Sequence, residues 1–127
     1  MKLQAILPNY NGKELLNRYL SGIVRTLGAD AVTVVDDAST DSSVDMLSAD
    51  YPMLRVIACE TNAGFSAAVN TGIRSTQSDI VLVLNNDVEL TPDFAQKALP
   101  LFDDPDVFAV SPRILLPAQN SGVSMLD

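Results

Sequence analysis

The chain has no histidine and one cysteine, Cys59. Cys/His zinc sites, histidine-based catalytic triads and any disulfide within the chain are excluded. Cys59 closes the apolar stretch Leu54-Arg55-Val56-Ile57-Ala58, a setting that favours a buried structural thiol over a nucleophile. Basic residues are also scarce, with 8 Lys and Arg against 16 Asp and Glu and a formal charge of −8; the pI is near 4.2. That balance argues against nucleic acid and anionic membrane surfaces as partners. It also means that an anionic ligand such as a diphosphate needs a local basic group or a bound divalent cation to offset the carboxylates. No apolar run approaches membrane-spanning length, and Met1-Lys2-Leu3 leads into a strand without the apolar core of a signal peptide. The expected location is cytoplasmic. Neither G-x-G-x-x-G nor G-x-x-x-x-G-K-S/T occurs, so the ordinary dinucleotide and P-loop readings fall away.

What is present is enough apolar residue, 47% of 127, for one domain with a real core. Short apolar runs at Leu3 to Leu7, Ala31 to Val35, Leu54 to Cys59, Ile80 to Leu84 and Val107 to Val110 predict five strands. Pro8 is expected to end the first, because its nitrogen cannot donate to a ladder. Leu15, Leu16, Tyr19, Leu20, Ile23, Val24 and Leu27 recur at helical spacing and predict a helix over Lys13 to Leu27, capped by Asn11 and followed by Gly28. A second helix, capped by Ser39 or Thr40, is expected to run to about Ala49. A third has Phe65, Ala68, Val69, Gly72 and Ile73 on its inner face, and a fourth starts at Thr91-Pro92-Asp93 with proline at its first position. Alternating strands and helices imply an α/β, Rossmann-like open and mainly parallel sheet with helices on both faces. Residues 1–116 form this domain, and 117–127 carry little periodicity and stay unassigned.

A strand order of 3-2-1-4 makes neighbours of the ends of strands 1, 2 and 4. Those ends carry Pro8-Asn9-Tyr10, Asp36-Asp37 and Asn85-Asn86-Asp87. Ligands bind outside the carboxyl ends of strands in such sheets. Carboxylates there can accept from ribose hydroxyls or a base N–H, Tyr10 can stack, and Asp87 can hold Mg²⁺ or Mn²⁺, which prefer oxygen. Each residue also has a plainer role open to it. Asp36 and Asp37 can cap the next helix, Tyr10 can pack half-buried, Gly64 can simply open a helix, and Arg74 falls on a solvated helix face.

Four segments in order resemble the nucleotide-sugar half of family 2 glycosyltransferases: Ile6-Leu7-Pro8-Asn9-Tyr10-Asn11-Gly12, Val34-Val35-Asp36-Asp37-Ala38-Ser39-Thr40-Asp41-Ser42, Asn62-Ala63-Gly64-Phe65-Ser66-Ala67-Ala68-Val69-Asn70-Thr71-Gly72-Ile73 and Leu84-Asn85-Asn86-Asp87-Val88. The resemblance spans about Leu3 to Leu116 and implies a GT-A fold. Asn-Asn-Asp, where other members have Asp-x-Asp, is similar to the rhamnosyltransferase-like branch. The resemblance further implies that Pro8 and Tyr10 line a base pocket, with Asn9 between them, and that Asp37 binds a uracil or thymine ring. Asp36 would support the turn or the nucleoside, Gly64 would let the third loop approach the nucleotide, Asn86 would reach ribose or diphosphate, and Asp87 would coordinate Mn²⁺ or Mg²⁺. Asn85 replaces the first carboxylate and would bind metal more weakly. The implied activity is metal-dependent, inverting transfer from a UDP- or dTDP-sugar to the hydroxyl of a glycan or lipid-linked acceptor. The general base and acceptor pocket of the family lie in a C-terminal half that is expected to be absent here, and Glu89 reads as a solvated loop residue instead. Another class fits as well: a catalytically inactive, nucleotide-binding or self-assembling module that forms a homo-oligomer through the surface left by that half. A nucleotidyltransferase would want a basic, glycine-rich first loop, and Asn9-Tyr10-Asn11-Gly12-Lys13 is a poor match.

Overall fold

The computed structural model describes residues 1–116, so the unassigned tail 117–127 lies outside the described residues. The chain divides into two compact units, Met1–Pro92 and Asp93–Asp127. The first contains β1 (Leu3–Asn9), α1 (Lys13–Leu27), β2 (Val32–Asp36), α2 (Ser43–Asp50), β3 (Arg55–Ala58), α3 (Phe65–Arg74) and β4 (Ile80–Val83). Its four strands are all parallel in the order β3-β2-β1-β4, the 3-2-1-4 arrangement expected from the sequence.

Side-chain alternation along β1 divides the core between the two faces of the sheet. Ala5 and Leu7 join Val32 and Val34 against Leu16, Leu20 and Ile23 of α1 and Met46 and Leu47 of α2. Ile6 and Val35 point the other way, against Ala68 of α3. The buried positions of α1 fall at i, i+4 and i+7, which is why this stretch is a helix with one apolar stripe. Burying each of these leucines or isoleucines contributes roughly 1.5–3 kcal/mol. Gly28, at φ 91°, ends the helix by donating its N–H to the Val24 carbonyl at 2.8 Å.

Helix α3 meets the sheet along a narrower edge than its periodicity predicts. Ala68 and Gly72 are buried, whereas Phe65 is 58% and Ile73 39% exposed. Gly72 lies so close to β1 that a Cβ there would overlap the Ile6 side chain. Small residues bring the helix axis in, and the larger residues flanking them are left on its outer sides.

Pro8 does not end β1. It lies within the strand, opposite Val35, and Asn9 follows opposite Asp36. The Ile6 carbonyl accepts from Leu84 N–H at 3.0 Å. The backbone groups of Ile6 therefore face β4, and two residues on so does the Pro8 nitrogen. Because β4 has ended at Val83, the missing N–H costs no ladder bond.

The second unit holds α4 (Phe94–Ala98), which tightens into a 3-10 turn over Leu99–Asp103. The fourth helix begins two residues later than expected, at Phe94, with Asp93 as its cap and Pro92 before the cap. It tightens at Pro100, which has no N–H for an α-helical bond. The expected fifth strand is not formed: Val107 to Val110 make no ladder among the described residues. Asp104 turns the chain there, its carboxylate accepting from Asp106 N–H at 2.9 Å and its carbonyl from Val107 N–H at 3.1 Å. Phe108 follows almost fully exposed.

Candidate functional site

Strand order brings the polar ends of β1, β2 and β4 together, and side-chain hydrogen bonds join them. Asp36, at the end of β2, is 1% exposed. Its Oδ1 accepts from Asn9 Nδ2 at 2.9 Å and from Ser39 Oγ at 2.7 Å, and its Oδ2 accepts from Ser39 N–H at 2.9 Å. Asn9 is 2% exposed. Its Oδ1 accepts from Asn86 Nδ2 at 2.9 Å, and its backbone carbonyl accepts from Asp37 N–H at 2.9 Å. A line of hydrogen bonds thus runs from the β2 turn through the end of β1 to the loop after β4. Gly12 lies against it, and a Cβ at that position would fall on Asn86 Nδ2 and Asn9 Oδ1.

The loop after β1 is stapled to the loop after β2. Asn11 N–H donates to Ser39 Oγ at 2.9 Å, and Asn11 Oδ1 accepts from Thr40 N–H at 2.7 Å. Asn11 therefore does not cap α1. The capping position is Gly12, and the first helical N–H, that of Lys13, donates to Asp41 Oδ2 at 2.9 Å. Nor do Ser39 or Thr40 cap α2. That helix starts after Ser42, and Asp41 Oδ1 accepts from the Ser43 N–H at 3.0 Å and from its hydroxyl. Partial burial pushes the Asp41 carboxyl up, but the hydrogen bonds from Ser43 and Lys13 outweigh it and hold the group below the ordinary carboxylate range. The two loops carry three non-glycine residues at positive φ: Asn11 at 52°, Ala38 at 61° and Ser42 at 67°. A cleft of about 380 Å³ beside them is lined by Asn11, Gly12, Lys13, Glu14, Leu15 and Asp41.

Asp37, 4% exposed, faces the loop after β3. Its two oxygens accept from Ala63 N–H at 2.9 Å and Gly64 N–H at 2.8 Å, and Asn62 Nδ2 donates to its backbone carbonyl at 3.1 Å. Gly64 opens α3 and adopts φ 97°, a conformation that favours glycine. Burial, followed by the negative charges of Asp37 and Asp36, pushes the Cys59 thiol up and leaves it a poor nucleophile.

Next to Asn9 in the chain, Pro8 is half-buried and Tyr10 is 53% exposed. Asn85 and Asp87 are exposed, with Asn86 half-buried between them. Glu89 is exposed as well. Among the described residues no three Asp, Glu, Cys or His side chains gather as a metal cluster. A cation here would have Asp87, a carboxylate, and Asn85, an amide oxygen, to bind. That is the sparse donor set Mg²⁺-like ions accept when phosphate and water complete the shell.

Ser39, Asn11 and Asp41 are the structural members of the site that sequence reasoning missed. All three are short polar residues in turns that read equally well as helix caps. The available signal was their density in two loops that the strand order makes adjacent.

The fold is α/β of the GT-A type, and comparison with known proteins makes the class specific. The chain belongs to glycosyl transferase family 2, whose description matches residues 4–123, and corresponds to its N-terminal region. It is 30% identical over 118 residues to a dolichol-phosphate mannosyltransferase from Pyrococcus furiosus, covering 89% of this chain and 33% of that protein. It is 29% identical over 114 residues to an uncharacterized glycosyltransferase from a Nostoc strain, covering 87% and 35%. The chain thus spans about a third of the length of these relatives. Among solved structures it resembles a mannosyltransferase from Pyrobaculum calidifontis in complex with GDP-Man and Mn²⁺, with a TM-score of 0.70 and 28% identity over 84% of this chain and 33% of that one. S. aureus TarS shares the fold, with a TM-score of 0.70 at 24% identity, covering 82% of this chain and 32% of the TarS chain.

Proposed function

We propose that this chain binds the nucleotide-sugar donor of a metal-dependent, inverting glycosyltransferase. The observation that carries the reading is the hydrogen-bonded line joining the ends of β1, β2 and β4, which holds Asn86 in place and leaves Asp87 exposed beside it. A rigid polar edge with one solvent-facing carboxylate suits a diphosphate bridged by a cation. In this reading Pro8 and Tyr10 line the base pocket. Asp37 reaches the ring with the lone pairs its two backbone bonds leave, while Asp36, Asn9 and Gly64 hold the loops around the nucleoside. Asp87, helped by Asn85, holds Mn²⁺ or Mg²⁺, which when bound neutralises charge on the departing diphosphate. Lys13, in the cleft beside Asp41, supplies the local basic group that an acidic chain needs.

The donor is a UDP- or dTDP-sugar, with GDP-sugars the first competitor to test because a relative was solved with GDP-Man. The acceptor is the hydroxyl of a glycan or a lipid-linked saccharide, deprotonated by a base outside this chain, and the reaction takes place in the cytoplasm. The Asn85-Asn86-Asp87 motif is the ground for placing the protein in the rhamnosyltransferase-like branch. Apolar side chains on α3 and the edge strand β4, with Phe65 at 58%, Val83 at 44% and Ile73 at 39% exposure, support self-association of this chain by itself.

Thermal unfolding with UDP, dTDP and GDP, each with Mn²⁺, Mg²⁺ or EDTA, tests the reading. A nucleoside diphosphate at a hundred times its Kd raises stability by about 2.7 kcal/mol. Asp87→Ala removes the metal-dependent part of the shift. No shift with any of the three nucleotides and either metal would sink the proposal.

A further inference from the structure

The line from Asp36 to Asn86 has a direction, and the carboxylate at its buried end sets it. Ser39 N–H is fixed as a donor to Asp36 Oδ2. Ser39 Oγ accepts from Asn11 N–H, so its own proton is free to go to Asp36 Oδ1. A carboxylate meets its partners as an acceptor. Asn9 must then turn Nδ2 to Asp36, at 2.9 Å, and its Oδ1 the other way. Asn86 can satisfy that oxygen only with its own Nδ2, as it does at 2.9 Å. Gly12 closes the space beside both amides, since even a Cβ there would strike Asn86 Nδ2 and Asn9 Oδ1. Asn86 Oδ1 is the atom left over. It accepts no hydrogen bond among the described residues and belongs to a half-buried side chain next to Asp87.

We propose that Asp36 is a positioning residue whose hydrogen bonding through Asn9 sets Asn86 to present a carbonyl oxygen, not an amino group, beside Asp87. A lone-pair oxygen there meets an electropositive group, either a divalent cation or a ribose hydroxyl. It repels phosphate oxygen. Asn86 is therefore an acceptor-side specificity residue for the nucleotide, acting next to Asp87 and not as a phosphate clamp. The ligand half of this inference rests on the donor-binding reading above, whereas the polarity of the relay does not.

Replacing Asp36 by asparagine would reverse the relay. The new amide can donate to a flipped Asn9, Asn9 to a flipped Asn86, and Asn86 would then turn its NH₂ toward the ligand. The first measurement is side-chain amide NMR of the ligand-free protein, which needs no variant. Asn86 Nδ2 protons should exchange slowly and show cross-relaxation to Gly12. Free exchange at Asn86 in the wild type would overturn the relay. The second is calorimetric titration of wild type, Asp36→Asn, Asn86→Ala and the double variant with UDP and with UDP lacking its ribose hydroxyls, each with Mn²⁺ or EDTA. Each single variant should lose about tenfold in affinity for Mn²⁺–UDP, the scale of one hydrogen bond, and the double variant no more than either. A loss confined to Mn²⁺ identifies the cation as the partner of Asn86 Oδ1. A loss that survives EDTA but vanishes without the ribose hydroxyls identifies a hydroxyl. A loss independent of both, additive losses, or tighter binding by Asp36→Asn would overturn the proposal. If Asp36→Asn does not fold, the NMR result and Asn86→Ala still decide it. If the wild type binds none of UDP, dTDP and GDP in either condition, the donor reading fails, and amide exchange at Asn86 decides the relay independently; if it binds dTDP or GDP but not UDP, the same titrations are made with that nucleotide.

Discussion

Gly12→Ala probes the polar edge of the sheet without touching a charged group. At φ −105° and ψ 31° the backbone of Gly12 suits any L-residue, so the substitution introduces a methyl group and no backbone strain. That methyl would fall on Asn86 Nδ2 and Asn9 Oδ1, two atoms already committed to each other at 2.9 Å. Asn9 is 2% exposed and is held on its far side by Asp36, so it cannot simply swing away. Breaking the Asn86–Asn9 bond forfeits about 0.5–1.5 kcal/mol, and leaving the buried Asn9 oxygen unpaired raises the penalty to roughly 1–3 kcal/mol. Overpacking adds about 1–3 kcal/mol, and the smaller conformational freedom of unfolded alanine returns about 0.4–1 kcal/mol. The expected net loss is about 2–4 kcal/mol, with the denaturant slope unchanged. With no tryptophan in the chain, urea unfolding followed by far-UV circular dichroism is the assay. Gly22→Ala, in the middle of α1, is the matched control. The nearest atom to its added Cβ is Arg25 Nη2 at 3.8 Å, an ordinary contact, so it should gain about 0.5–1 kcal/mol from helix propensity. Gly12→Ala as stable as wild type would refute the reasoning, as would an equal loss in an Asn86→Ala background.

Three further outcomes follow from the same geometry. Gly72→Ala should cost about 1–3 kcal/mol by driving α3 off Ile6 and Val35, the latter 3.1 Å from the added Cβ; a neutral result in urea unfolding would mean the helix is less tightly seated on β1. Ala38→Gly should stabilise by up to about 1 kcal/mol, because alanine at φ 61° bears roughly 1–2 kcal/mol of left-handed strain that glycine escapes at a smaller entropic cost; destabilisation would show that another interaction holds that turn. Asp41→Asn should lower the melting temperature at neutral pH, where the lowered carboxyl is fully ionised in both folded and unfolded states. The wild type's advantage persists down to the ordinary carboxylate value and disappears as pH falls through the lower folded-state value, so the two melting curves converge in acid. An advantage that grew on acidification would contradict the hydrogen-bonded role of Asp41.

The sequence was most informative where one physical rule decided the outcome. Unbroken apolar strands alternating with striped helices leave few topologies, and the 3-2-1-4 order then makes neighbours of residues 77 positions apart, Asn9 and Asn86. Once those ends adjoin, the polar groups they carry must satisfy one another, because the edge they form is buried. Pro8 misled because a missing N–H matters only where a partner strand is present, and β4 ends before reaching it. Asn11 and Ser39 misled for a different reason: a short polar residue before a helix can serve its own backbone or a neighbouring loop, and sequence spacing does not distinguish the two. Asn11, Ala38 and Ser42 take positive φ in these two turns, where Asn11 and Ser39 bind each other's loops and Asp41 serves the first N–H groups of both α1 and α2. The two adjacent carboxylates serve different neighbours. Asp36 faces β1 and sets the polarity of its amides, while Asp37, one residue along the extended chain and so on the other side, faces the loop after β3 and holds Gly64. Two aspartates that look interchangeable in the sequence therefore support opposite flanks of one crevice, and exchanging either for asparagine should disturb a different half of whatever binds there.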